Sequence, residues 1–349
     1  MRHRGKLLRL LLLLLTVAGA AAGVAAYRLY AFYRSPADPA ADSRIVEIPK
    51  GTPSRRIVSI LAEGGIIREE LPFLLLLRLT GRAEALQAGE YELSAALSPE
   101  EILEILTSGG VVQRSLLIPP GFNRYQIAAL FERVGLASRE AFERIVTDRT
   151  WLSQFGLEDV EGYLFPDTYS FTRDTTPEDL LTRMVRNFFD NFTPSMEARA
   201  RALGLSRHEI VTLASIIEKE TGRAEERPLI SAVFHNRLRK GMRLESDPTV
   251  IYGIFREKGM PEGGEIRLRK RDLQRYTPYN TYVIRGFPPG PIASPGREAL
   301  EAALYPADAD YLFFVAKGDG THFFSRTYER HRKAVYEYQI RRSRRSPRH

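Results

Sequence analysis

The stretch "IIEKETG", residues 216–222, ends an apolar run on two glutamates, Glu218 and Glu220. Burial penalises the charged form of a carboxyl group, so a carboxyl withdrawn from water has a raised pKa and can hold a proton near neutral pH. Such a group can act as a general acid and, once deprotonated, as a general base. Helical residues advance by ~100°, so with Ile217 at zero the residues Ile210, Leu213, Ala214 and Thr221 fall within about 60° of it and mark a buried face. Glu220 falls at about −60°, on the border of that face, and Glu218 at about +100°. The two differ by roughly 200° and cannot serve one cleft as a pair. Glu220 is therefore the candidate acid. The alternative is a solvated helix end, with both acids ion-paired to Lys219 and Arg223 against an unfavourable helix dipole.

Two Pro/Gly-rich stretches offer groups that could hold a substrate. They are "GMRLESDPTVIYG" (241–253) and "YTPYNTYVIRGFPPGPIASPG" (276–296). Loops this long inside a packed domain are usually functional. Tyr279, Tyr282 and Phe287 present apolar ring faces, while Asn280, Ser246 and Asp247 present hydrogen-bonding groups, a mixture that suits sugar rings. The competing reading makes Tyr282 and Val283 the start of a core strand. Asp247 and Glu245 are the candidates for a second carboxylate, should the chemistry need one. The six histidines show no metal-ligand spacing, there is no cysteine, and no Gly-rich phosphate loop is present. No metal and no cofactor are expected.

The elements that must position these groups carry their own signals. Ser206 and Glu209 form a capping box, which predicts a helix from about Arg207 to Thr221 with Gly222 as its stop. Ser98-Pro99 and Thr176-Pro177 place a hydroxyl cap before a proline at the first helical position. "YLFFVAKGDGTHFFS" (311–325) predicts a hairpin with Gly318–Gly320 in its turn, followed by a helix over about Thr327 to Arg341. The mixed order of helices and strands predicts an α+β fold.

An internal repeat precedes them. "VEIPKGTPSRRIVSILAEGGI" (46–66) matches "LLIPPGFNRYQIAALFERVGL" (116–136) at an offset of 70 residues. Each copy predicts a short strand, a Pro-x-Gly turn and an amphipathic helix ending at glycine. It is either a recurrent strand–turn–helix unit without special meaning or a small carbohydrate-binding module similar to LysM domains, which bind cell-wall N-acetylglucosamine chains.

The net charge of +8 is concentrated at the two ends. Arg2, Arg4, Lys6 and Arg9 start the chain and Arg341, Arg342, Arg344, Arg345 and Arg348 end it, leaving 42 basic against 43 acidic residues between. A neutral body argues against a nucleic-acid groove, and the basic tail predicts a solvated, frayed end. Between Arg9 and Arg28 lie 18 residues without a charge. At ~1.5 Å per residue they reach about 27 Å, close to the ~30 Å hydrocarbon core. Tyr27, Tyr30, Phe32 and Tyr33 follow as an interfacial aromatic belt would. The expected organisation is a cytoplasmic N-terminus (1–9), a membrane helix (10–33), a Pro/Ala/Asp linker (34–43), a LysM-like module (44–112), a second strand–turn–helix repeat (113–155), a catalytic domain (156–341) and a basic tail (342–349). A cleaved signal peptide is the rival for the first segment, although its apolar run is long for one. Basic residues before the span predict a cytoplasmic N-terminus and place the rest outside the membrane.

Six stretches taken in order carry a resemblance: "EGYLFPDTYSF" (161–171), "LASIIEKETGRAEERPLISAVFHNRL" (213–238), "SDPTVIYG" (246–253), "YNTYVI" (279–284), "GFPPGPIASPG" (286–296) and "DYLFFVAKGDGTHFFS" (310–325). Over about residues 44–340 the chain resembles the YceG-like endolytic murein transglycosylases. The resemblance implies an enzyme anchored in the inner membrane, with LysM-like modules and a lytic transglycosylase domain. Its substrate would be the peptidoglycan strand, cut between N-acetylmuramic acid and N-acetylglucosamine to leave 1,6-anhydro ends and terminate strand growth. Cell-wall synthases would be partners. The family's catalytic acid is the second glutamate of its Glu-Lys-Glu-Thr motif, here Glu220; Ser246, Asp247, Tyr279, Asn280 and Tyr282 are candidate substrate contacts. A peptidoglycan hydrolase and a non-catalytic glycan-binding scaffold are the alternatives.

Overall fold

The computed structural model describes residues 2–261 and 266–341, so the basic tail (342–349) lies outside the described residues. The elements run α1 (Arg2–Arg34), β1 (Arg44–Ile48), α2 (Ser54–Glu63), α3 (Glu70–Thr80), β2 (Gly89–Leu93), α4 (Pro99–Ser108), β3 (Arg114–Leu117), α5 (Arg124–Arg133), α6 (Arg139–Val146), α7 (Arg149–Ser153), β4 (Thr168–Phe171), α8 (Pro177–Asn191), α9 (Pro194–Ala202) and α10 (Arg207–Glu220). There follow α11 (Arg227–Arg239), α12 (Asp247–Lys258), α13 (Lys270–Gln274), α14 (Arg297–Leu304), β5 (Phe313–Ala316), β6 (His322–Ser325) and α15 (Tyr328–Val335), the last running into a short π-turn (Tyr336–Ile340). This is a mixed helix-and-sheet fold in which the strands among the described residues pair into two-stranded sheets.

The chain divides into two compact units. One comprises residues 1–114 and 170–175, the other residues 115–169 and 176–349. In the first, β1 pairs antiparallel with β2, from Arg44 opposite Leu93 to Ile48 opposite Gly89. The strand period of two turns Val46 and Ile48 inward, where they join Leu61, Phe73, Leu77, Tyr91 and Leu103 in the core. Helix α1 is long and apolar enough to cross a membrane over Leu11–Arg34, with a mean hydropathy of 1.7 and none of its span buried.

The second unit is built around α10. Ser206 caps it, accepting from the Glu209 amide while Glu209 reaches back to the Ser206 amide, so orphan donors at the helix start are satisfied. Every residue from Ile210 to Ile217 is buried, more than the single apolar face that periodicity predicts. The reason is tertiary: α9, α11, α12 and α14 all pack on α10, so its polar residues Thr212 and Ser215 turn inward as well and bond to the carbonyls of His208 and Thr212. The helix stops at Thr221, which is extended (φ −146°, ψ 139°).

The Pro/Gly-rich loop is fixed to this core. Gly162 has φ +82° and lies so close to Pro291 that a Cβ there would come within 2.5 Å of it; only glycine fits. The Pro-x-Gly turn of the second repeat also sits on the end of α10. Gly121 donates its amide to the Ser294 carbonyl and accepts at 3.1 Å from Lys219 Nζ. The turn glycines of the two copies share one conformation, φ 77° at Gly51 and 78° at Gly121.

Candidate active site

The two glutamates at the end of α10 face the starts of two different helices. Glu218 Oε2 accepts from the amide of Gly296, the residue that caps α14, at 2.9 Å, and its Oε1 lies 3.5 Å from Arg227. It is largely buried and fully engaged as a structural cap for a helix N-terminus, where an anion is favoured. Glu220 points to the start of α12. Its Oε1 accepts the Ser246 hydroxyl at 2.5 Å.

The environment of Glu220 sets its protonation. Burial is the largest influence and pushes its pKa up to about 7. The Ser246 hydrogen bond acts against this by favouring the carboxylate, nearby Asp247 raises the pKa further, and the Arg237 guanidinium lowers it. A carboxyl poised near neutrality is suited to both halves of an acid–base cycle.

Ser246 is held in place by its backbone. Glu245, just before it, has φ 53° and is the only described residue other than glycine with a positive φ. That left-handed position is disfavoured for a residue with a Cβ and persists only where the surroundings impose it. Here the Glu245 amide donates to the Thr281 carbonyl, the Ser246 amide to the Thr281 hydroxyl at 3.0 Å, and the Glu245 carboxylate pairs with Arg237 at 3.1 Å. Asp247, the first residue of α12, accepts from the Tyr282 hydroxyl at 2.7 Å. The phenol of Tyr282 is held far above its usual range by burial and by Asp247, so it stays a donor.

Glu220, Ser246, Asp247 and Tyr282 thus come together. The other two candidates do not join them. Asn280 is buried with its amide nitrogen spread over the carbonyls of Asp272, Leu273 and Arg275 and its oxygen accepting from Tyr282 N; it braces the loop that carries Tyr282. Tyr279 packs edge-on against Tyr252 and lines a cavity of about 680 Å³ with Asp159, Glu161, Tyr163, His208 and Arg256. His208 belongs to the first turn of α10, about 18 Å along the helix from Glu220.

Two influential residues escape sequence reasoning. Arg237 is 6% exposed and donates to the carbonyls of Leu312, Arg243 and Leu244 as well as to Glu245. Its one sequence signal is a cation in step with the apolar positions Ile230, Val233 and Phe234 of α11. Glu161 is 2% exposed, takes the Tyr252 hydroxyl at 2.8 Å and the Arg124 amide, and is pushed up to about 7 by burial. It raises the same question as Glu220, but both of its oxygens already accept from protein donors, the Arg124 amide and the Tyr252 hydroxyl.

Beyond Glu220 the chain turns toward the β5–β6 hairpin. Arg223 donates to the carbonyls of Gly320 and Asp319 in the hairpin turn, and Glu226 takes both the amide and Nδ1 of His322. The hairpin is thereby secured beside the end of the acid's helix.

A half-buried carboxyl with a pKa raised to about 7, at the end of a central helix and bonded by the serine that precedes a second helix, has the features that acid–base chemistry on a glycosidic bond would need. The chain belongs to the YceG-like family, whose model matches residues 46–337. It is 33% identical over 311 residues to the endolytic murein transglycosylase of Bacillus subtilis, covering 84% of each chain. It is 30% identical over 325 residues to the endolytic murein transglycosylase of Streptococcus pneumoniae, covering 84% of this chain and 58% of that longer one. A crystal structure of a yceG-like protein from Listeria monocytogenes matches with a TM-score of 0.57 at 32% identity, covering 84% of this chain and 99% of that one.

Proposed function

We infer that this chain is a lytic transglycosylase that cuts peptidoglycan strands endolytically, with Glu220 as its single catalytic acid and base. The observation that carries the assignment of the residue is the state of Glu220, half-buried, held at about 7 and oriented by Ser246. Glu218, the other acid of the motif, is consumed by Gly296 and Arg227.

In the reaction, protonated Glu220 gives its proton to the oxygen linking muramic C1 to the next sugar, and the C1–O bond breaks. The carboxylate left behind takes the proton of the muramic C6 hydroxyl as that oxygen bonds to C1. One bond is lost and one gained, the proton returns to Glu220, and no water is consumed. A hydrolase working by inversion would need a second carboxylate activating water. Of the two candidates, Glu245 is paired with Arg237, and Asp247 accepts from Tyr282. Ser246, Asp247 and Tyr282 form the wall against which the reacting sugar rests; Asn280 and Tyr279 act at a distance, by holding the loop.

The N-terminal helix is the anchor, placed in the cytoplasmic membrane with its basic start inside and the remainder outside. A reporter fused after His349 is active only outside the cytoplasm on this reading; activity inside reverses the topology. The repeats are LysM-like modules that bring glycan to the site. The product decides the reaction class: anhydro ends support the lyase, reducing ends the hydrolase, and intact strands the scaffold.

A further inference from the structure

Helix α3 carries an apolar face left open to the outside. With Leu75 at zero, Leu71, Pro72 and Leu79 fall within about 60° of it, and Phe73 and Leu77 lie on the opposite side. Phe73, Leu76 and Leu77 are buried, whereas Leu71, Leu75 and Leu79 are 80%, 47% and 67% exposed. The helix has two charged residues, Glu70 and Arg78, and Arg78 alone falls on the open face. A surface helix of a soluble domain puts polar residues there, and a contiguous apolar patch marks an interaction site.

The same helix packs on α1. Phe32 and Tyr33, near the end of α1, pack against the core to which Phe73, Leu76 and Leu77 belong, and Arg34 pairs with Glu100 of α4 at 2.8 Å. Arg28 is the first charge after the apolar run, so Phe32 and Tyr33 lie only about 6–8 Å further along the axis. The headgroup zone outside the hydrocarbon is about as thick, ~5–8 Å on each side. Tyr27 and Tyr30 are 72% and 60% exposed at that level, where aromatic rings settle at a bilayer surface.

We propose that α3 is an interfacial helix whose Leu71, Leu75 and Leu79 lie in the headgroup boundary of the bilayer that α1 crosses. The proposal rests on α1 spanning that bilayer. The first unit is then seated on the membrane by two contacts, a spanning helix and a helix lying in the surface.

The chain has no cysteine, so a polarity-sensitive fluorophore can be placed at single sites of the full-length protein. Leu75→Cys, Leu79→Cys and Val17→Cys are labelled and reconstituted in phosphatidylcholine–phosphatidylglycerol vesicles carrying brominated chains. Both α3 labels should show at least about half the lipid quenching seen at Val17 and be shielded from acrylamide, as at a depth of about 5–10 Å. Quenching by acrylamide alone would place the stripe in water, and protection from both quenchers would place it under protein; either result overturns the proposal. An unquenched Val17 label would instead remove the anchor on which the proposal stands.

Discussion

The Ser246 hydroxyl meets the Glu220 carboxyl at 2.5 Å across 26 residues of sequence. This contact fixes which way the acid points, and it lowers a pKa that burial raises. Ser246→Ala removes a hydrogen bond that favours the carboxylate. The alkaline limb of the pH–rate profile should then move upward by on the order of one pH unit, since a hydrogen bond to a charged group is worth ~1.5–3 kcal/mol. The rate should fall as well, because the carboxyl loses its orientation. A rate loss with an unmoved pH limb would mean that Ser246 serves only the substrate.

Glu220→Gln cannot donate or take up the proton. Its activity should drop at least about 10²–10⁴-fold, the usual contribution of general acid–base catalysis, with the fold retained. Glu218→Gln should keep most activity and lose about 1–2 kcal/mol of stability, since the Gly296 amide would exchange a charged acceptor for a neutral one. Strand-cleavage assays and denaturant unfolding on both variants check this. A dead, fully folded Glu218→Gln beside an active Glu220→Gln would reverse the assignment.

The raised pKa of Glu220 has a stability consequence with a definite sign. Its folded value of about 7 lies above the ordinary 4.5, so its favourable contribution is full below pH 4.5 and is lost as pH rises through 7. Glutamine does not titrate. Relative to the parent, Glu220→Gln should therefore gain about 1–3 kcal/mol between pH 4.5 and pH 8. Glu161 titrates in the same range but is present in both proteins and cancels. Denaturation midpoints at the two pH values measure the difference, and a difference that does not change with pH would contradict the raised pKa of Glu220.

What could be read ahead of the structure follows from the range of each signal. The capping box at Ser206 and the 3.6-residue period locate α10 and separate Glu218 from Glu220, because both are properties of one helix. The hairpin and the Pro-x-Gly turns are likewise local. The partners are not: Ser246 reaches Glu220 through a left-handed Glu245 that glycine preferences would not place there. Arg237 is held by the carbonyls of Arg243 and Leu244 in the next loop and by that of Leu312, 75 residues away. Tyr279 and Asn280 sit within three residues of Tyr282, yet their side chains go to a separate cavity and to the end of α13. Residue type and proximity in sequence suggested one site; the turn through Asn280, Thr281 and Tyr282 distributes them.

The central claim is that one carboxyl group completes the reaction without water. It is tested by digesting purified glycan strands with the full-length protein in water enriched in heavy oxygen and weighing the fragments, with Glu220→Gln as the blank. Fragments lighter by one water than hydrolysis products, carrying no solvent oxygen and absent from the blank, are the predicted result. Reducing ends carrying solvent oxygen as the main product would contradict it and make Asp247 or Glu245 the missing base.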